Sequence, residues 1–217
     1  CALFLYPTLG GENMRFLAAS LIVLSLAFAS AGSAQTIYQY TGNSYTTIID
    51  NTPPAGTFDT SMNIGGTFTV AAPLAPNMAF GDIGGSIVSY SFDDGISTLT
   101  DANSSFLGAF NVSTDAGGNI LDWQFTANSG PPLPSTGVFG DQRSLISSAS
   151  TSSFTLDRGI FQECTGIGAG ACGDVYSDVG QIFGSSGSWS IIPEPSTAVL
   201  LGVGLLGLGA RRHGRRS

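Results

Sequence analysis

Few side chains in this 217-residue chain can serve as nucleophile, base or metal ligand, and their positions narrow the chemistry at once. The single histidine, His213, stands near the C-terminal end, and there is no lysine anywhere. Residues 35 to 192 therefore hold neither type, which removes Ser-His-Asp, Cys-His and Ser-Lys nucleophile arrangements and histidine-bound zinc. What remains for an enzyme is a pair of carboxylates, as in glycosidases. The candidates are Glu163, the one glutamate of that stretch, and the adjacent Asp93 and Asp94. Glu163 falls in a stretch that reads as a loop, and Asp93-Asp94-Gly95 is ordinary turn chemistry whose neighbouring side chains point apart. We expect no catalytic residue. Aspartates can also ligate Ca²⁺ through oxygen, but no run matches an EF-hand loop or a nonapeptide calcium repeat, so no metal site and no cofactor are expected.

Cys164 and Cys172 are separated by Thr-Gly-Ile-Gly-Ala-Gly-Ala. A disulfide between them is the preferred reading in a compartment that permits one, and a pair of free thiols acting on a metal or in redox chemistry is the alternative. Cys1 has no partner. Trp123 and Trp189 could stack on sugar rings from an open face, but both lie in period-two apolar runs, where burial is the default.

These residues must be positioned by elements whose limits are set by the two ends of the chain. Residues 1–13 precede the first methionine and read as an upstream extension of the gene, with translation starting at Met14. Residues 14–34 then have the pattern of a secretory signal peptide. Arg15 supplies the positive charge, Phe16 to Ala29 the apolar run, and small residues follow through Ala34. Cleavage is expected between Ala34 and Gln35, with Ala31 as a second acceptable site. At the other end a second apolar run, Thr197 to Ala210, is stopped by Arg211, Arg212, Arg215 and Arg216, four of the seven arginines. A membrane helix over 196–210 is short for a hydrocarbon core of about 30 Å, and snorkelling arginines can extend it. The positive-inside rule keeps the arginines in the cytoplasm and puts residues 35–192, with the outer domain at 35–190, on the far side.

Immediately before that helix stands Ile192-Pro193-Glu194-Pro195-Ser196. The proline-glutamate-proline triplet, the glycine- and leucine-rich helix and the arginine stop resemble, in that order, the PEP-CTERM sorting signal of Gram-negative bacteria that make exopolysaccharide. The resemblance covers Ile192 to Ser217, within a sorting tail taken as residues 191–217, with Ile192 where valine is usual. It implies that an exosortase-type processing enzyme recognises Pro193, Glu194 and Pro195, cuts near them and releases or transfers the outer domain. Glu194 is then a recognition group in a substrate. The prolines fix φ and delay the helix until Ser196, which keeps Glu194 extended and accessible.

Residues 35–192 carry two arginines against thirteen acidic residues, a net of −11. Such a surface does not seek nucleic acid or anionic lipid. Within residues 35–190 the apolar residues recur with period two: Val88, Tyr90 and Phe92; Phe106, Phe110 and Val112; Leu121, Trp123 and Phe125; Phe154 and Leu156; Trp189 and Ile191. Asp93-Asp94-Gly95 and Asp115-Ala116-Gly117-Gly118-Asn119 read as hairpin turns, and the stretch Ser129–Ser153 as the least ordered part. The expected fold is all-β: a single antiparallel sandwich, jelly-roll-like or otherwise, of eight to ten strands in open order. The expected function is that of an exported, non-enzymatic envelope or exopolysaccharide-matrix protein. Its partners would be the Sec translocon, signal peptidase, the exosortase-type enzyme, transiently the membrane, and exopolysaccharide. A carbohydrate-binding or adhesive module is the alternative, and a carboxylate-only hydrolase the second.

Overall fold

Alternation of side chains sets the strands. In β1 (Thr36–Thr41), Thr36, Tyr38 and Tyr40 are buried while Gln39 and Thr41 face solvent, the signature of a half-buried strand. The computed structural model describes residues 35–51, 57–130, 133 and 137–192. All belong to a unit running Gln35–Ser217, the other unit being Cys1–Ala34. Among the described residues the regular structure is thirteen strands and one short 3₁₀ turn.

The strands form two antiparallel sheets, as expected for an all-β sandwich. Sheet A has the order β13 (Ser188–Ile192), β1, β3 (Gly65–Val70), β5 (Ile87–Asp93), β6 (Thr98–Thr100). Sheet B has the order β2 (Thr47–Ile49), β12 (Ala171–Phe183), β11 (Thr155–Gly168), β10 (Gln142–Ser150), β9 (Ile120–Asn128), β8 (Asn111–Thr114), β4 (Gly81–Asp82), with β7 (Ser105–Phe106) paired to β9. Strands β8 to β12 are a meander of sequential neighbours. The strand count exceeds the expected eight to ten because β2, β4, β6 and β7 are two or three residues long, too short to display a period.

Aromatic rings fill the space between the sheets. Phe92 of sheet A stacks on Phe125 of sheet B with centroids 4.4 Å apart. Phe110 joins them, at 4.8 Å from Phe125 and 5.1 Å from Phe68. Tyr40 meets Trp123 edge-on at 5.6 Å. Each such side chain contributes roughly 1.5–3 kcal/mol by leaving water, and favourable ring pairs add about 0.5–1.5 kcal/mol. At one place the rings need glycine: Gly159 and Gly180 are register partners on β11 and β12. A β-carbon on Gly180 would lie 2.5 Å from the Tyr45 ring, and one on Gly159 2.9 Å from Phe58.

The two expected turns are present. Asp115 Oδ1 accepts the backbone N–H groups of Gly117 (2.8 Å) and Asn119 (2.9 Å), and Gly118 has φ 80°. Asp93 Oδ1 accepts the Gly95 N–H at 2.8 Å.

Several inward assignments differ from expectation, each for a local reason. A register shift between Thr69 and Val70 leaves Val88 as the extra residue of β5, so it is exposed while Tyr90 and Phe92 are buried. A second shift, opposite Ser113, turns Leu121 out and lets Ile120 pack against the core beside Trp123 and Phe125. An inserted residue reverses the phase of everything before it. In β11 the inward positions are Asp157 and Gly159, and Phe154 is exposed. Ile191 is also exposed, on the outermost strand of sheet A. Within Ser129–Ser153, residues Gln142–Ser150 form a nine-residue strand in the middle of sheet B. Its inward residues, Ser144, Ile146 and Ser148, are mostly hydroxylic and hide the alternation, which buried Ala149 on the opposite face blurs further.

Glu163 lies on β11 rather than in a loop, opposite Tyr176 and Gln142. The glycine-rich stretch after it is a hairpin whose turn residues Ala169 and Gly170 both have positive φ, 51° and 86°, as a tight two-residue turn requires. Cys164 and Cys172 close a disulfide inside this hairpin, with Cα atoms 5.8 Å apart, and pack with Leu133 and Val175 in a small cluster of their own. Closing so short a loop stabilises by about 2–3 kcal/mol on the chain-entropy argument. Reducing the bond, or replacing both residues by serine, is expected to lower the urea midpoint accordingly at unchanged denaturant slope. An unchanged midpoint would count against the bond as a structural staple.

Candidate functional site

The part of the domain closest to the expected processing chemistry is its exit strand, β13, because the proline-glutamate-proline triplet begins at the next residue. β13 pairs with β1 from Thr41 opposite Ser188 to Ile37 opposite Ile192. The first strand of the domain thus holds the last. Gln35, on the mature side of the expected signal cut, lies two residues before Ile37 and is exposed.

Trp189 anchors the exit strand in the core. Its ring lies 4.9 Å from Tyr40, 5.2 Å from Phe68 and 6.2 Å from Trp123. The approach to the strand is held by polar contacts. Asn43 Nδ2 donates to Ser185 Oγ and the Ser186 carbonyl, both at 2.8 Å, and the Gly187 N–H donates to Tyr40 Oη at 2.8 Å. Tyr40 passes this connection across the sandwich: its hydroxyl donates to the Asp157 carboxylate of sheet B at 2.8 Å. Ser148 Oγ donates to Asp157 Oδ1 at 2.6 Å, and Trp123 Nε1 donates to Ser148 Oγ at 2.8 Å. One hydrogen-bonded chain therefore joins β9, β10, β11, β1 and the entry to β13.

Asp157 is fully buried and none of these partners is a cation. Burial pushes its pKa up, while the hydrogen bonds from Ser148 and Tyr40 pull it back. Tyr40 is also raised, first by burial and then by the Asp157 charge. Asp178 of β12 is also buried, with its Oδ1 accepting the Asn51 N–H at 2.6 Å, and a further buried acid is Asp94, in the β5–β6 turn. Its Oδ1 accepts the N–H groups of Ile96 (3.0 Å) and Ser97 (2.8 Å), and Tyr45 donates to its carbonyl at 3.3 Å. Loss of hydration pushes the Asp94 carboxyl up to about 6. None of these three acids lines any of the three surface pockets described in this domain, whose acidic residues are Asp101 in one and Asp122 in another. Among the described residues no group of three or more His, Cys, Asp or Glu could hold a metal ion.

Of the residues singled out in the sequence, Cys164 and Cys172 are brought together and Gln35 is placed beside the first strand. Ala34, Pro193, Glu194, Pro195, Arg211, Arg212, Arg215 and Arg216 lie outside the described residues. Among the described residues no helix is long and apolar enough to cross a membrane; the segment 196–210 expected to do so lies outside them. The network of Tyr40, Ser148 and Asp157 was not foreseen. Its only sequence signal is an aspartate in phase with a strand's core face, which looks like a break in the pattern.

The strand that this network holds ends at Ile192, and residues 192–216 match the family described as the PEP-CTERM protein-sorting motif. The chain carries a PEP-CTERM sorting motif. It is accordingly an exported protein sorted at its C-terminus, directed to the cell envelope or surface, and a substrate for exosortase processing. The PEP-CTERM match begins on the last residue of β13, so folded sheet and sorting signal share Ile192. Comparison with curated proteins and comparison with solved structures give no match.

The buried acids set the pH dependence of the outer domain. Between pH 4 and 6 the unfolded chain releases the Asp94 proton while the folded domain keeps it, so stability falls as pH rises, by up to about 3 kcal/mol for this group. Asp157 acts in the same direction. Asp59 and Asp115, lowered by hydrogen bonds from Ser61 and Asn119, act at lower pH and with the opposite sign. The urea midpoint should therefore decline from pH 4 to pH 7, and less so in Asp94→Asn, which retains the acceptor for the two N–H groups. A wild-type midpoint that climbs over this range would contradict the assignment.

Proposed function

We propose that this chain is a non-enzymatic protein of the envelope or exopolysaccharide matrix, delivered by its sorting motif and left at the surface as a rigid acidic β domain. The observation that carries the reading is the junction at Ile192, where the folded sheet passes directly into the sorting motif. Four residues lead from Ile192 to Ser196, and even fully extended they reach at most about 14 Å. The precursor's outer domain thus stands against the outer membrane-water boundary until it is cut. Pairing of Ile37 with Ile192 puts the N-terminal end of the domain at that same edge. Signal cleavage after Ala34 and sorting at Pro193–Pro195 therefore act on neighbouring ends of one sheet.

The non-enzymatic part of the reading draws on the residue types. The outer domain has no histidine or lysine, and its buried carboxyl groups among the described residues, Asp94, Asp157 and Asp178, accept structural hydrogen bonds. Its negative charge favours solubility and disfavours anionic partners.

Intact-mass measurement of the protein from its host, with fractionation, tests the proposal. Wild type should begin at Gln35, contain the disulfide, lack the arginine-bearing tail, and appear at the surface or in the matrix. Glu194→Gln should accumulate as a membrane-bound precursor that retains Arg211–Arg216. Full-length, uncut protein in the cytosol would overturn the reading.

A further inference from the structure

The outer face of sheet B, at its β4 edge, carries a pocket of about 390 Å³ lined by Phe80, Asp122, Gln124, Thr151, Ser152, Ser153 and Phe154. This volume falls within the range of small-ligand sites. We propose that it is a binding site for the pyranose rings of a neutral polysaccharide. The site names what the delivered domain would hold, and so deepens the preceding proposal.

Two half-exposed phenylalanines, Phe80 at 45% and Phe154 at 46%, come from positions far apart in the chain to one small pocket. Folding does not require them there: Phe154 lies in the turn just before β11, and neither it nor Phe80 belongs to the hydrophobic core. Isolated exposed apolar residues need no explanation, but two at one polar pocket do. The C–H face of a sugar ring is the ligand surface that aromatic rings bind while the ring's hydroxyls seek polar partners.

Those partners are available. Gln124 flanks Trp123 on the outer side of β9, and its amide makes no hydrogen bond among the described residues. Asp122 is fixed by one oxygen: Oδ2 accepts the Ser113 hydroxyl at 2.7 Å, while the Asp122 N–H donates to the same Ser113 oxygen at 3.1 Å. Its Oδ1 takes no hydrogen bond among the described residues. The register shift opposite Ser113 that turned Leu121 outward also sets Asp122, and re-aiming a side chain is a common use of a bulge. Thr151 closes the turn by donating to the Phe154 carbonyl at 3.2 Å, which leaves the Ser152 and Ser153 hydroxyls to the pocket.

Charge selects among saccharides. A domain of net −11 with a carboxylate in the pocket and no cation lining it repels uronate or sulfated polymers. Two other pockets lack this combination. The one beside Tyr90 and Phe106 has its tyrosine hydroxyl already bonded to Ser104. The one along Val70–Ala75 and Ile83–Val88 is almost entirely apolar.

The test is calorimetric titration of the full chain in detergent with gluco-, galacto- and manno-configured hexaoses, and with polygalacturonate. At least one neutral hexaose should bind saturably and polygalacturonate should not. Phe80→Ala and Phe154→Ala should each weaken binding about tenfold, Gln124→Ala should weaken it measurably, and Phe139→Ala, at an exposed ring elsewhere, should leave it unchanged. No binding of any neutral hexaose, equal binding by the pocket variants, or equal binding of polygalacturonate would overturn the site. If the chain is meanwhile exported and cut normally, the site alone falls and the delivery reading stands.

Discussion

Tyr40 reaches from sheet A to a carboxylate in sheet B that no solvent touches, and the position of the exit strand follows from that contact. A carboxyl group taken from water costs several kcal/mol unless its oxygens are satisfied. The chain meets the requirement without a cation, through the hydroxyls of Tyr40 and Ser148, the latter held by Trp123. Because Tyr40 also accepts the Gly187 N–H, the same hydroxyl that satisfies Asp157 positions the residue entering β13. A nonpolar residue in place of Asp157 could fill the volume, but it would not tie three strands of sheet B to the first and last strands of sheet A. Hydrogen bonds here contribute alignment, and the surrounding rings contribute most of the stabilisation.

The aromatic cluster and this polar chain meet at Trp189. Its ring touches Tyr40, Phe68 and Trp123, three residues before the sorting motif begins. The domain thus has no slack between its core and its export signal. The sorting match begins within β13 itself, at Ile192, so on the proposed reading the processing enzyme works beside a folded sheet.

How much of this was legible in the sequence differs from one feature to the next. The sorting motif was legible because three unlike segments occur in fixed order, a pattern that chance rarely produces. The sandwich was legible from alternating aromatics and from the Asp-Gly and Gly-Gly turns, which encode local geometry directly. Inward faces were legible only between bulges: Val88 and Leu121 sit in apolar alternation, but one extra residue in each strand reverses them. β10 was hidden because serine serves as its core residue, and Asp157 because its burial depends on Tyr40, 117 positions away. The phenylalanine-walled pocket was equally hidden, since it gathers Phe80 and Phe154, each just before a strand, and Gln124 from the middle of β9, which only the fold brings together. Local signals carry local structure, and partnerships across the sandwich have no local signal.

The central claim is that the exit strand is docked as firmly as the first strand and passes straight into the sorting motif. Amide hydrogen exchange of the full-length precursor, resolved for residues 188–192 and 36–41, tests it most directly. The account predicts that the β13 amides that bond β1 exchange together with those of 36–41, at the slow rate of the core strands, because they share one ladder and one anchor. Exchange of those β13 amides at the rate of a free terminus, with 36–41 still protected, would contradict it.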